Sequence, residues 1–219
     1  MTIDIPYLLF LGDAQLAKTA QGVCFWRPQD CVGQLRFPGN PLDLGVPDMD
    51  LEAAVAAGVR TVLVGAAPAG GQLPAHWVDP LRRALELGLD IANGLHTRLN
   101  DVAVLRETAE RTGQRIHDVR HPDRDFDIGT FSFRPGKRLL TVGADCAVGK
   151  MYTALAIERE MQNRGVKADF RATGQTGILI AGSGISVDAV VSDFVSSAAA
   201  ELSPANDSDH WDVVEGQGS

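Results

Sequence analysis

The sequence has few cysteines, no long apolar run and more acidic than basic residues, and each shortage excludes a class of protein. Its three cysteines, Cys24, Cys31 and Cys146, are an odd number without metal-ligand spacing, which argues against a disulfide framework or a thiolate metal site. The 20 Lys and Arg residues against 28 Asp and Glu give a net charge of −8, so a general nucleic-acid-binding surface is excluded. Any phosphate ligand therefore needs a local, preorganised pocket.

Membrane insertion and secretion are disfavoured for similar reasons. No apolar run approaches the ~20 residues that a membrane-spanning helix needs. The first residues, Met1 to Pro6, lack the basic segment of a signal peptide. Because the sparse cysteines also suit a reducing compartment, we expect a cytoplasmic protein with no membrane partner.

What the sequence does contain is the rhythm of an α/β protein, in which short apolar runs alternate with amphipathic helical stretches. We predict a Rossmann-like layered domain over residues 1–125, a linker over 126–136 and a P-loop NTPase-like parallel-sheet domain over 137–219. The first domain has no G-x-G-x-x-G after any strand, so dinucleotide binding is not expected. Strands are predicted at 7–11, 31–36, 59–65, 89–92, 115–119 and 166–170, and helices at 51–57, 80–87, 101–112, 150–163 and 186–200.

The strongest chemical signal is a glycine-rich loop at the start of the second domain. A predicted strand leads into Gly143-Ala-Asp-Cys-Ala-Val-Gly-Lys150, which resembles the pattern G-x-x-x-x-G-K with one extra residue between its two glycines, and a predicted helix follows. Backbone N–H groups of such a loop form a cradle for phosphate oxygens at the helix N-terminus, and Lys150 neutralises their charge. The predicted phosphate-binding residues are Gly143, Ala144, Asp145, Cys146, Ala147, Val148, Gly149, Lys150, Met151 and Tyr152.

Met151 is the point at which this loop departs from a Walker A motif, which carries a Mg²⁺-binding Ser or Thr there. Thr153 lies two residues further on, about 200° around the helix, and cannot substitute. The residues therefore disfavour nucleoside triphosphate hydrolysis with an ordinary Mg²⁺ site, and no metal site is predicted. Phosphate binding is unaffected by the change.

Two further segments are expected at the carboxyl side of the sheet, where α/β proteins bind ligands. Arg171-Ala-Thr-Gly-Gln-Thr-Gly177 follows a predicted strand and is rich in hydroxyl and amide groups. A strand from His210 ends in Glu215 and glycines, the place of a Walker B-like carboxylate. The residues alone leave open whether Glu215 binds a metal, orients a water, acts as a base or faces solvent.

These segments together resemble one protein family. The resemblance is carried by Gly143–Met151, Ala172–Ile178 and Asp212–Ser219, and in the first domain by Lys18–Ala20 and Gly94–His96. The family consists of two-domain P-loop proteins, formerly of unknown function, whose characterised members are D-glutamate N-acetyltransferases of bacterial D-amino-acid catabolism. Met151 is itself a trait of this family, whereas Tyr152 stands where members often carry Thr.

The resemblance implies acetyl transfer from acetyl-CoA to the amino group of D-glutamate. Coenzyme A carries a pyrophosphate and a 3′-phosphate, so a phosphate cradle without a Mg²⁺-binding hydroxyl suits it. We expect Lys150 and the loop amides to hold phosphate, and Glu215 or a histidine, with His96 the best candidate, to take the proton of the amine. The loop residues Thr173, Gln175 and Thr176 would position substrate. Candidates for its carboxylates are Lys18, Arg98 and Arg171.

Two other functions stay open at this point. The first is an ATP- and Mg²⁺-dependent ligase or kinase resembling dethiobiotin synthetase, which would release ADP. The second is a non-catalytic module that senses a nucleotide or CoA. In each case the partner is a small molecule, and a homo-oligomer is expected.

The length of the chain supports one more expectation. At ~150 residues per domain, 219 residues are too many for one domain and too few for two complete ones. A P-loop sheet normally continues beyond its acidic strand, yet Glu215 stands four residues before Ser219. We expect an N-terminal fragment whose C-terminal remainder is a separate chain or absent.

Overall fold

The computed structural model describes residues 2–66, 68, 72–122, 125–129, 132–145 and 148–217. The chain divides into two compact units, Met1–His121 and Pro122–Ser219. Within the described ranges, none of the helices combines the length and the apolar character that crossing a bilayer requires.

The N-terminal unit is built on a five-stranded parallel sheet with the strand order β2-β1-β3-β4-β5. Its strands are β1 (Tyr7–Gly12), β2 (Cys31–Arg36), β3 (Thr61–Val64), β4 (Asp90–Asn93) and β5 (Ile116–Asp118). Its helices are α1 (Lys18–Trp26), α2 (Leu51–Ala56), α3 (Val78–Glu86) and α4 (Ala103–Thr112). Parallel strands joined through helices confirm the predicted Rossmann-like α/β fold.

Burial explains why these segments form a sheet. Every residue of β1, β3 and β4 is buried, as expected for strands that are covered on both faces. Trp77 is fully buried and packs edge-on against Phe10 of β1. Helix α2 begins where predicted, because the Asp50 carboxylate accepts a hydrogen bond from the Ala53 N–H.

The C-terminal unit has a three-stranded parallel sheet in the described part of the chain, with the order β6-β8-β7. The strands are β6 (Lys137–Leu140), β7 (Ala168–Arg171) and β8 (Trp211–Val214). The helices are α5 (Lys150–Asn163), α6 (Gln175–Ala181) and α7 (Val195–Leu202). Helix α5 has the predicted bounds, and Gly165 follows it with a φ of +74°.

Two helix predictions need correction. The single helix predicted over 186–200 is wrong, because two short 3₁₀ turns, Val187–Ala189 and Ser192–Phe194, precede α7. Val190 and Val191 between them have extended ψ values of 129° and 139°, in keeping with the poor helix preference of β-branched residues. Helix α1 was not predicted at all, since it contains Gly22 and has no side-chain cap.

Candidate active site

The candidate site lies at the carboxyl ends of the three strands of the C-terminal unit. Leu140 of β6 pairs with Val214 of β8, which in turn pairs with Arg171 of β7. The three strands therefore end at the same level. The glycine-rich loop follows β6, the hydroxyl-rich segment follows β7 and Glu215 follows β8, so three of the predicted motifs meet at one sheet edge.

The Lys150 side chain lies against the described residues of the glycine-rich loop. Lys150 is only 9% exposed, and its Nζ donates a hydrogen bond of 2.5 Å to the backbone oxygen of Asp145. A Cβ added at Gly143 would lie 2.6 Å from Val148 Cγ2, so this close approach requires glycine. Gly149 precedes the helix with a φ of +95°. The lysine ammonium therefore points into the loop.

These residues fit a phosphate group. Helix α5 has 14 residues, no side-chain cap at its N-terminus and no acidic residue in its first turn, so the partial positive charge of this helix end favours an anion. Lys150 adds a full positive charge at the same end. Met151 is partly buried and Tyr152 is 42% exposed, and Cys146 and Ala147 lie outside the described residues.

The Glu215 side chain is buried in a notch formed by the segment after β7. Its Oε2 accepts hydrogen bonds from the N–H groups of Thr173, at 3.0 Å, and Gly174, at 3.2 Å. A Cβ added at Gly177 would lie 2.3 Å from the same oxygen. Glu215 is 7% exposed. The glycines of the Thr173–Gly177 motif therefore make room for this carboxylate.

Burial raises the pKa of the Glu215 carboxyl above its ordinary value of 4.5. The N–H groups of Thr173 and Gly174 and the Gln217 amide act in the opposite direction, because they stabilise the charged form, and the negative charge of Asp188 adds to the rise. Loss of solvent is the largest of these effects. A carboxylate whose pKa is raised in this way is a stronger base than an exposed carboxylate.

This pKa makes a prediction about stability. Because the folded state holds the Glu215 proton more tightly than the unfolded state, the resulting stabilisation is complete below the unfolded pKa and is lost as the pH rises through the folded pKa. Glu215→Gln removes this dependence. Urea unfolding of both proteins from pH 4 upward should show that the wild-type free energy of unfolding falls relative to the variant. Parallel curves would contradict the raised pKa.

Thr141 joins the glycine-rich loop to residues 215–217 after β8, here called the Glu215 segment. The sequence alone did not indicate this role. Its Oγ1 donates to the Lys150 backbone oxygen at 3.1 Å and accepts from the Gly216 N–H at 3.2 Å. A Cβ added at Gly216 would lie 1.8 Å from the Thr141 backbone oxygen. The available signal was a threonine directly after the strand that leads into the glycine-rich loop. Its role could not be predicted because its partners, Lys150 and Gly216, are far apart in sequence.

Arg171 is placed differently from the other predicted site residues. Its guanidinium forms a salt bridge of 2.8 Å with Asp212 and one of 3.2 Å with Asp169. His210 lies 3.4 Å from each of these carboxylates. The three side chains Asp169, His210 and Asp212 are close enough to share a cation, and the Arg171 guanidinium already pairs with both carboxylates and offsets one of their two negative charges. A substrate carboxylate at Arg171 would compete with these two ion pairs for the guanidinium.

The substrate-loop residues also differ in position. Gln175 and Thr176 begin helix α6, so the prediction of a loop through residue 177 is wrong there. Both side chains are partly buried, whereas Thr173 is 4% exposed and is bound to the Glu215 segment. The apolar run Ile178–Ile180, buried throughout, extends the segment as a helix.

The remaining predicted site residues belong to the N-terminal unit. Lys18 is the first residue of α1 and is exposed. The Ala20 N–H donates to the Gly65 oxygen just after β3, which places this helix end at the carboxyl edge of the sheet. His96 and Arg98 are exposed in the segment after β4, at the same edge.

A parallel α/β unit with a phosphate loop, joined to a second parallel α/β unit, defines a two-domain P-loop protein. Comparison with known families agrees, since residues 38–122 match a Rossmann-like domain of unknown function (DUF1611_N) and residues 128–219 match a P-loop domain of unknown function (DUF1611_C). A solved DUF1611 family protein from Anabaena variabilis is 30% identical with a TM-score of 0.80, over 99% of this chain and 67% of that one.

Curated relatives are more similar still. D-glutamate N-acetyltransferase of Tritonibacter scottomollicae is 52% identical over 99% of this chain, and the protein of the same name from Pseudoalteromonas sp is 44% identical over all of it. The chain belongs to the DUF1611 family together with these proteins, and the predicted family resemblance is confirmed. It spans 66% and 67% of the lengths of these two relatives.

Proposed function

We propose that this chain takes part in acetyl transfer from acetyl-CoA to the amino group of D-glutamate. The observation that carries the proposal is that both curated relatives, matched over 99% and 100% of this chain, are named D-glutamate N-acetyltransferase. Supporting it, the glycine-rich loop with Lys150 and the buried Glu215 would offer a phosphate site and a proton acceptor for such a transfer.

The glycine-rich loop would bind the phosphates of coenzyme A. Lys150 and the N-terminal end of α5 would offer charge and hydrogen bonds to phosphate oxygens. Met151 in place of a hydroxyl residue leaves the helix start without the usual Mg²⁺ ligand. This combination favours a phosphate-bearing carrier over a nucleoside triphosphate that is used with Mg²⁺.

Glu215 would act as the general base. The amine of a free amino acid is mostly protonated at neutral pH, since its pKa lies above the ~8 of a chain's terminal α-amino group, and it must lose a proton before it attacks the thioester carbonyl. As the new C–N bond forms, the C–S bond breaks and the thiolate leaves, finally taking up a proton as free CoA. A carboxyl whose pKa burial has raised is better matched to this proton than an exposed one. His96 is the alternative base.

The acceptor's two carboxylates need positive partners. Lys18 and Arg98 are exposed in the N-terminal unit and available for such pairing, whereas Arg171 is held by Asp169 and Asp212. We propose all three as candidate carboxylate ligands, with Arg171 in competition with its pairing to Asp169 and Asp212. Gln175 and Thr176, at the start of α6, are further candidates for substrate contacts.

The test is a turnover assay of the purified chain with D-glutamate and either acetyl-CoA or ATP with Mg²⁺. We expect thiol release that depends on D-glutamate and acetyl-CoA, with one thiol released for each N-acetylglutamate formed. L-Glutamate and D-aspartate in parallel reactions report which acceptor is used. ADP formation, or tight CoA binding without any turnover, would contradict the proposal and favour a ligase or a sensing module respectively.

A further inference from the structure

All of the polar groups of Thr173 have partners. Its N–H donates to the Glu215 carboxylate at 3.0 Å, and its hydroxyl donates to the Glu215 backbone oxygen at 2.7 Å. The same hydroxyl accepts a hydrogen bond of 2.7 Å from Gln217 Nε2, and the Thr173 backbone oxygen accepts one of 3.0 Å from the Val187 N–H. The residue is 4% exposed. Thr173 therefore contacts the carboxylate and the backbone of Glu215 as well as the Gln217 amide.

We propose that Thr173 is a positioning residue for Glu215. The Thr173 hydroxyl fixes the Glu215 backbone and directs the Gln217 amide toward the Glu215 carboxylate. The hydroxyl suits this task because it can donate to one group while it accepts from another. A Cβ added at Gly174 would lie 2.7 Å from Gln217 Nε2 and 3.3 Å from Glu215 Oε1, so the Gln217 amide and the Glu215 carboxylate lie next to each other beside Gly174. That this arrangement serves catalysis rests on the proposed function, whereas the hydrogen bonds themselves are seen in the structure.

The charged groups around Glu215 show what the positioning controls. Within the described chain, Asp188 lies on the turn that Val187 ties to the Thr173 oxygen, and its charge raises the pKa of Glu215. Lys150 passes beside the next residue, since a Cβ on Gly216 would lie 3.5 Å from Lys150 Cδ. The Gln217 amide counters the effect of Asp188, because it stabilises the ionised carboxylate. Without the Thr173 hydroxyl this amide loses its anchor.

Thr173→Val keeps the shape of the side chain and removes the hydroxyl, whereas Thr173→Ser keeps the hydroxyl. The readout is the titration of the Glu215 carboxyl, followed by ¹³C NMR in protein labelled at glutamate and assigned with Glu215→Gln. We expect an upward shift of the Glu215 pKa in Thr173→Val and the wild-type titration in Thr173→Ser. Thr108→Val is the matched control, because Thr108 is also buried and donates to a backbone oxygen, that of Val104, in the other unit.

A purely structural threonine would lower stability in Thr173→Val without moving the titration of Glu215, and that result would overturn the proposal. Gln217→Leu removes the other partner of the Gln217–Thr173 hydrogen bond. Because Gln217 is partly exposed, this variant is the decisive one if Thr173→Val does not fold. We expect it also to shift the Glu215 pKa upward, and an unchanged titration would overturn the proposal equally. Because the titration needs no substrate, its outcome is independent of whether the chain transfers an acetyl group.

Discussion

Gly177→Ala is expected to destabilise the C-terminal unit and to abolish D-glutamate-dependent thiol release. The added Cβ would lie 2.3 Å from Glu215 Oε2 and 3.1 Å from its Cδ, closer than real Cβ contacts allow. The carboxylate cannot move aside without losing its hydrogen bonds to Thr173 and Gly174. Overpacking of this kind costs about 1–3 kcal/mol.

The sign of the stability change makes this variant decisive. Gly177 lies within helix α6, where alanine is favoured over glycine by roughly 0.5–1 kcal/mol. Helix preference alone therefore predicts a more stable protein, whereas the notch for Glu215 predicts a less stable one. Urea unfolding at neutral pH measures the difference.

A double-mutant cycle isolates the contact with the carboxylate. In a Glu215→Ala background the oxygen that the new Cβ meets is gone, so Gly177→Ala should be neutral or stabilising there. Equal destabilisation in both backgrounds would show that the strain comes from another neighbour, such as Ala172, whose Cβ lies 3.3 Å from the same position.

The glycine-rich loop could be predicted from sequence because its chemistry is local. The two glycines, the lysine and the helix that follows lie within a few residues of one another, and the structure places Gly149 and Lys150 at the start of α5 as expected. Strands of the first unit could be predicted equally well from the sequence, since they are short, buried apolar runs.

The role of the Thr173–Gly177 segment could not be predicted in the same way. Its hydroxyl and amide groups suggested substrate contacts, but Thr173 and Gly174 bind Glu215, which lies some 40 residues away in sequence. That pairing depends on β8 lying between β6 and β7, an order that the sequence does not specify. Thr141, which joins Lys150 to Gly216, escaped notice for the same reason.

Lys150→Met is expected to weaken coenzyme A binding by about 10- to 150-fold, which corresponds to the ~1.5–3 kcal/mol of a hydrogen bond to a charged group. Methionine preserves most of the apolar stem that packs near Gly143, where a Cβ would lie 3.3 Å from Lys150 Cγ. The loss therefore reports the ammonium group, including its hydrogen bond to the Asp145 backbone oxygen, while the apolar stem is retained. Isothermal titration calorimetry with CoA and with inorganic pyrophosphate measures it.

Lys167→Met is the matched control for this measurement. Lys167 carries the same charge on the same unit, but it is exposed and pairs with Asp207 and Asp209 at the surface. Removing it changes the net charge by the same amount, so any long-range effect on an anionic ligand is shared by both variants. We expect Lys167→Met to bind CoA as the wild type does. If both variants lost affinity equally, or if Lys150→Met lost none, the glycine-rich loop would not be the phosphate site, and the CoA phosphates would have to bind elsewhere on the chain.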